Sequence, residues 1–312
     1  MERGMTSLGM LVNGIMPGLF QIGSASKVDF AEIACAPSSS LTTGMQQEGF
    51  KCQRINLEQG YDLHKMDDCN RAKDWFEKSC PRKSWFSLPC TYFSPMQNLT
   101  PEHRRRPGNW ENYLRSKLRA RRMNGHSVDM ALTSLRKGGD IYWEWPYRCQ
   151  GWTTPELNRL RREAEKVLGR PLRMVRVDGC QVGLRDEHGV LRSKSWGILT
   201  SDENFTQWMS LRCTKDHPHS TLEGHDAVAA SAYYPAPMVK RVVHGFAKDL
   251  RGKDFAEDFW ITSGLQDGDN TTFGIEPRIE KHFSEMPKDT ATQEKVKSWL
   301  MDLHILGGHM SK

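Results

Sequence analysis

Between Lys27 and Pro235 short apolar runs alternate with amphipathic stretches, and this alternation constrains the fold more than any other feature. Val28–Cys35 (VDFAEIAC) is strand-like, Pro37–Ser40 is a turn with helix-capping residues, and Leu41–Gly49 reads as a short helix. Lys51–Leu57 alternates as a second strand closed by Glu58, and Met66–Ser79 reads as a helix with Trp75 and Phe76 facing inward. Ser84–Leu88 is a third strand. Asn109–Arg122 and Ser127–Lys137 follow as two helices, and Asp140–Trp145 (DIYWEW) as a fourth strand. Strand, helix, strand, helix is the rhythm of a parallel sheet, so the expected class is α/β with helices on both faces. Pro155–Gly169 adds a charged helix, and Leu172–Val177 with Gly189–Thr200 add antiparallel strands.

At 312 residues the chain is long enough for one such domain with additions. The expected divisions are an N-terminal extension over 1–26, the α/β domain over 27–235, a linker or weakly ordered segment over 236–291, and a short amphipathic helix over 292–312. The apolar stretch Leu8–Phe20 is broken by Asn13, Gly14 and Pro17 and falls short of the roughly 20 residues that span a membrane. It also lacks the basic lead and small-residue cleavage site of a signal peptide. Eight cysteines spread along the chain do not form a dense disulfide scaffold. Together these features predict an intracellular protein with reduced thiols and no membrane partner, nuclear if it acts on DNA.

The net charge of +6 is unevenly placed. Arg104, Arg105, Arg106, Arg115, Lys117, Arg119, Arg121 and Arg122 stand against Glu111 alone, so residues 103–122 carry +7 and the rest of the chain −1. A charge run is often only a solvated helix face. Concentrated this way, it points to phosphate contact and so to DNA or another nucleic acid as partner.

Cys90 lies just past the third strand, behind Pro89, in Ser87-Leu88-Pro89-Cys90-Thr91-Tyr92-Phe93-Ser94. A thiol at a strand end can be exposed, and backbone NH groups or cations can lower its pKa, which suits a nucleophile. Pro89-Cys90 with Phe93-Ser94 resembles the Pro-Cys-Gln-x-Phe-Ser signature of cytosine-5 DNA methyltransferases, with Thr91 in place of glutamine. Asp29-Phe30-Ala31 with Gly44 and Gly49-Phe50 resembles the first, S-adenosylmethionine-binding motif of that family. Ile141-Tyr142-Trp143-Glu144-Trp145-Pro146 resembles its strand ending in Glu-Asn-Val.

The resemblance spans roughly residues 28 to 200 and implies a Rossmann-like methyltransferase sheet with a small, partly irregular C-terminal region. It implies Cys90 as nucleophile and Glu144 as the acid at the base edge. S-adenosylmethionine would lie against Phe30, Ala36, Ser38, Glu58, Asp62 and Pro89. The sequence departs from the family in three places. Cys35-Ala36-Pro37-Ser38-Ser39-Ser40 replaces a glycine-rich turn, Arg185, Arg192 and Lys194 stand in for Gln-x-Arg-x-Arg, and Ser231–Pro235 stands in for Gly-Asn-Ala/Val. A non-catalytic nucleic-acid-binding module is therefore the alternative. A cysteine hydrolase using Cys90 with His103, His126 or His217 is a third reading.

Cys213-x3-His217-x-His219, with Cys180 upstream, offers sulfur and imidazole donors for zinc. At the C-terminus, Leu303-His304-Ile305-Leu306-Gly307-Gly308-His309 resembles the Leu-His-x-x-x-Gly-His start of the pre-integrase zinc segment of copia-type retrotransposon polyproteins. This implies a retroelement origin for the alternative module.

Overall fold

The computed structural model describes residues 27–94, 109–222 and 231–252. Arg104–Arg106, His103, the N-terminal extension and the segment holding His304 and His309 lie outside the described residues. Among the described residues the chain forms an α/β unit around a six-stranded mixed sheet. The elements run β1 (Phe30–Ile33), α1 (Ser40–Gln47), β2 (Cys52–Ile55), α2 (Met66–Ser79), β3 (Lys83–Phe86), α3 (Asn109–Arg136), β4 (Asp140–Pro146), α4 (Pro155–Leu168), β5 (Arg173–Asp178), β6 (Ser195–Thr200), α5 (Glu203–Met209) and α6 (Ala236–Leu250).

The strand order is β2-β1-β3-β4-β6-β5. β1 to β4 are parallel, whereas β6 runs antiparallel to both of its neighbours. The chain leaves β1 toward β2 and then crosses to β3 on the other side, so the order reverses between β1 and β3. In open sheets a crevice forms outside the carboxyl ends of the strands at such a point. Because β6 is reversed, the residues that precede it reach the same edge of the sheet.

Alternation along the strands sends apolar side chains to both faces. Ala31, Ile33, Phe86, Ile141, Trp143 and Trp145 join one core with α2, α3 and α4. Phe30, Trp85, Tyr142, Trp196 and Ile198 join the other with α1, α5 and α6. At the amino ends of β3 and β4, Lys83 is only 1% exposed and its Nζ lies 3.4, 3.4 and 2.6 Å from Asp140, Asp202 and Asp249, and 2.9 Å from the Tyr142 hydroxyl. Burial alone would lower its pKa, but the three carboxylates carry it above the usual lysine value. This ammonium occupies the centre of the acidic trio, which is an ion-pair anchor in the core.

Two sequence expectations change. Residues 109–136 form one helix rather than two, because Gly125 stays helical where Met123-Asn124-Gly125-His126 reads as a break. The expected linker begins with α6, whose Met238, Val239, Val242, Val243 and Phe246 are buried against the sheet. Pro235 and Pro237 look like a stop in the sequence, yet proline also suits the first turn of a helix.

Candidate active site

β3 and β4 are neighbours in register, with Trp85 beside Tyr142. One step further along the same face, Ser87 and Glu144 come together around Tyr234, which arrives from the segment before α6. The Tyr234 hydroxyl accepts from Trp85 Nε1 at 3.1 Å, lies 3.1 Å from Ser87 Oγ, and donates to Glu144 Oε2 at 2.8 Å. Trp85 and Trp196 also meet its ring edge to face, at 5.9 and 6.2 Å between centroids. One carboxylate oxygen of Glu144 is thus held, and the other has no such tie to Tyr234.

Cys90 lies in the loop after β3, partly buried against the core that β3 and β4 share with α2, α3 and α4. Its backbone (φ −92°, ψ −2°) sits in the bridge region, sparsely populated and frequent at active sites. The loop is fixed from below: Trp145 Nε1 donates to Leu88 O at 2.7 Å, and Phe93 packs on Trp145 with centroids 5.6 Å apart. Lys194, immediately ahead of β6, completes the group. Its ammonium donates to Ser231 O and, at 3.3 Å, to Ser231 Oγ, and lies 4.9 Å over the Trp196 ring.

Cys90, Glu144 and Lys194 are linked electrostatically. Burial, then the Glu144 carboxylate, raise the Cys90 pKa to about 11, and Lys194 offsets part of that rise. The lowered thiol pKa expected from the strand-end position is therefore not found. Burial raises Glu144 above the usual carboxylate range, against the pull of Lys194 and Tyr234. Burial lowers Lys194, against the pull of Glu144 and Cys90. Tyr234, pushed well up by burial and Glu144, remains a neutral donor.

The turn after β1 is built differently from a glycine-rich loop. Ala34 adopts φ +57°, the left-handed conformation that a glycine would take without strain. Glu32, at the end of β1, is 1% exposed, and its carboxylate accepts from Ser39 Oγ at 2.6 Å, Thr42 N at 3.2 Å and Thr42 Oγ1. It therefore caps α1 from inside the sheet. Burial raises its pKa, with Ser39, Thr42 and Arg54 opposing. Asn56, after β2, ties this turn to its neighbour by donating to Cys35 O at 3.3 Å.

The remaining expected residues divide. Ala36, Ser38 and Pro89 lie in turns at the carboxyl edge and are at least partly exposed, and Glu58 is exposed in the turn after β2. Phe30 does not belong with them: it is fully buried at the amino end of β1, 6.0 Å from the Phe246 ring, because the strand begins there. Asp62 is committed to the turn ahead of α2, accepting from His64 N at 3.0 Å and facing Lys65 at 3.6 Å. On α3, Arg115, Arg119 and Arg122 are exposed. Lys117 lies 5.6 Å over the Tyr113 ring, and Arg121 is bound to Glu156 of α4 at 2.8 Å, a packing role rather than a free phosphate contact. Of the three basic residues near Gly183, Lys194 alone enters the site. Arg185 bonds Gly189 O at 2.8 Å and Arg192 bonds Glu187 at 3.0 Å.

A second group lies along the same sheet edge. The donor atoms of Cys180, Cys213, His217 and His219 all fall within 4.8 Å of one another. His217, one of the hydrolase candidates, belongs to this group. Among the described residues, the charged side chains that shift the Cys90 thiol, beside burial, are Glu144 and Lys194.

No protein-family model and no curated protein sequence matches this chain.

Proposed function

We propose that this chain is an S-adenosylmethionine-dependent, cytosine-5 DNA methyltransferase-like protein. The observation that carries the reading is that Cys90 follows β3 and Glu144 lies near the end of β4, so both stand at the carboxyl ends of adjacent parallel strands, beside the reversal of strand order. Thiolate addition of Cys90 to C6 of a flipped cytosine would activate C5, while Glu144 would offer a proton toward N3. Burial moves the Glu144 pKa upward, which is the direction a proton donor toward N3 needs. Tyr234 fixes one oxygen of Glu144 and so orients its carboxyl group.

The first turn supports a cofactor without phosphate. A helix N-terminus usually attracts phosphate through its free NH groups and dipole, but here Glu32 already supplies a negative charge and takes the Thr42 NH. S-adenosylmethionine carries no phosphate, and Ala36, Ser38 and Glu58 would line it. Calorimetry with S-adenosylmethionine and transfer of its labelled methyl group to duplex DNA test the reading. Binding, with transfer lost in Cys90→Ala and Glu144→Gln, is expected; no binding, or transfer unaffected by Cys90→Ala, sinks it.

One observation favours a second reading. A Cys90 thiol with a pKa of about 11 is a poor nucleophile at neutral pH, which suits a nucleic-acid-binding module, of retroelement origin, that no longer catalyses. That module would bind in a salt-dependent way without S-adenosylmethionine. Replacing Arg115, Arg119 and Arg122 together should flatten the log–log salt slope by about 2–3, whereas Arg121→Ala should leave it nearly unchanged.

A further inference from the structure

Cys180 follows β5 in a 3-10 turn (Gly179–Val182), and Cys213, His217 and His219 follow α5. We propose that these four side chains bind one zinc ion tetrahedrally and thereby clamp the loop that delivers Lys194 to the candidate active site. Zinc with sulfur near 2.3 Å and nitrogen near 2.0–2.1 Å at tetrahedral angles places S and N about 3.6 Å apart. Cys213 Sγ lies 3.6 Å from the Nε2 of both His217 and His219. The two histidines, only one residue apart in sequence, achieve this with rings at 71° and centroids 4.7 Å apart. The chain reverses between Cys213 and His217 through Lys215, whose φ is +64°.

The surroundings are those of a built site. Asp216 Oδ1 lies 2.7 Å from His217 Nδ1, so the carboxylate orients the ring and leaves Nε2 to face the cluster. The Lys215 NH donates to Cys213 Sγ at 3.3 Å, a contact that stabilises a thiolate. Asp178 accepts from Cys213 N at 2.8 Å and from Ser195 Oγ at 2.5 Å, which locks the Cys213 backbone to β6. Two sulfurs and two imidazoles fill all four positions, so the site is structural, without an open position for substrate. On binding, Cys180 and Cys213 each release a thiol proton and become thiolate ligands.

The link to Lys194 is direct. Gly179 N, one residue before Cys180, donates to Lys194 O at 2.6 Å, and the loop holding the histidines pairs with Leu191 through Ser220 N at 2.8 Å. The metal would thus hold both strands of chain that fix the position of Lys194. This inference stands apart from the methyltransferase reading, and its test needs no activity.

The experiment is elemental analysis of the full chain produced with zinc, then cobalt exchange. One zinc per chain is expected, and the cobalt form should show thiolate-to-metal charge transfer and the strong visible bands of a tetrahedral ion. Cys213→Ser and His219→Ala should lose the metal, and His219→Cys should retain it. A chelator should lower the melting temperature of the wild-type chain reversibly; this arm decides the matter if the serine variant does not fold. Zinc well below one per chain after loading, a Cys180–Cys213 disulfide in place of metal, or full occupancy in Cys213→Ser together with His219→Ala would overturn the proposal.

Discussion

Cys90 shows how far a single residue can be read without its neighbours. Its place behind Pro89 at a strand end is visible in the sequence. Its titration is not, because burial, the largest influence, comes with the fold, and the charged groups that add to it, Glu144 and Lys194, lie 54 and 104 residues away in the chain. With burial and Glu144 holding the thiol at about 11, alkylation of Cys90 followed by peptide mass spectrometry should accelerate about tenfold per pH unit from 7 to 10 without a plateau. Glu144→Gln removes a charge that raises the thiol and should move the profile to lower pH. Lys194→Met removes one that lowers it and should move the profile the other way. Unchanged profiles in both variants would show that the three groups do not share a site. Ala34 is a converse case: no residue in that turn looks suited to a left-handed backbone, yet alanine adopts it.

At the scale of elements, packing decided what periodicity could not. Gly125 sits inside α3 with room around it, the nearest atom to an added Cβ being Glu156 Cγ at 4.0 Å. Gly125→Ala should therefore stabilise the protein by about 0.5–1 kcal/mol, since glycine weakens a helix interior. Gly151 lies under the Trp145 ring, where an added Cβ would come within 2.4 Å. Gly151→Ala should cost about 1–3 kcal/mol in denaturant titration and disturb the Cys90 loop, which Trp145 anchors at Leu88. Equal stability of the two variants would contradict this assignment of Trp145. The boundaries of α2 were legible because Phe76 and its partners repeat at helical spacing between clear turns. Those of α6 were hidden behind two prolines that open the helix.

For the molecule as a whole, the sequence carried the order of the strands, the helices α1, α2 and α4, and the α/β class, since each of these has its own local pattern, whereas α3 read as two helices and α5 and α6 went unseen. It did not carry which strands adjoin, so neither Tyr234 nor Lys194 could be placed beside Glu144. The Lys83 anchor was equally hidden, because Asp140, Asp202 and Asp249 come from three separate elements. Lys83→Met removes the cation shared by the buried Asp202 and the part-exposed Asp140 and Asp249, and should destabilise the fold by about 1–3 kcal/mol, read from the midpoint of chemical denaturation. A loss below about 1 kcal/mol would show that water already screens the trio.

α6 is the last described element, yet it covers Phe30, Trp85 and Tyr142 near the start and middle of the chain, while Arg82 donates to Leu250 O at 3.0 Å and Arg251 bonds Glu48 at 2.8 Å. A ribosome making this chain therefore holds a sheet whose strands are all synthesised by Thr200, with one aromatic face still bare until α6 has emerged. Closure of that core thus waits for a helix that follows the last strand and the candidate-site residues in the chain.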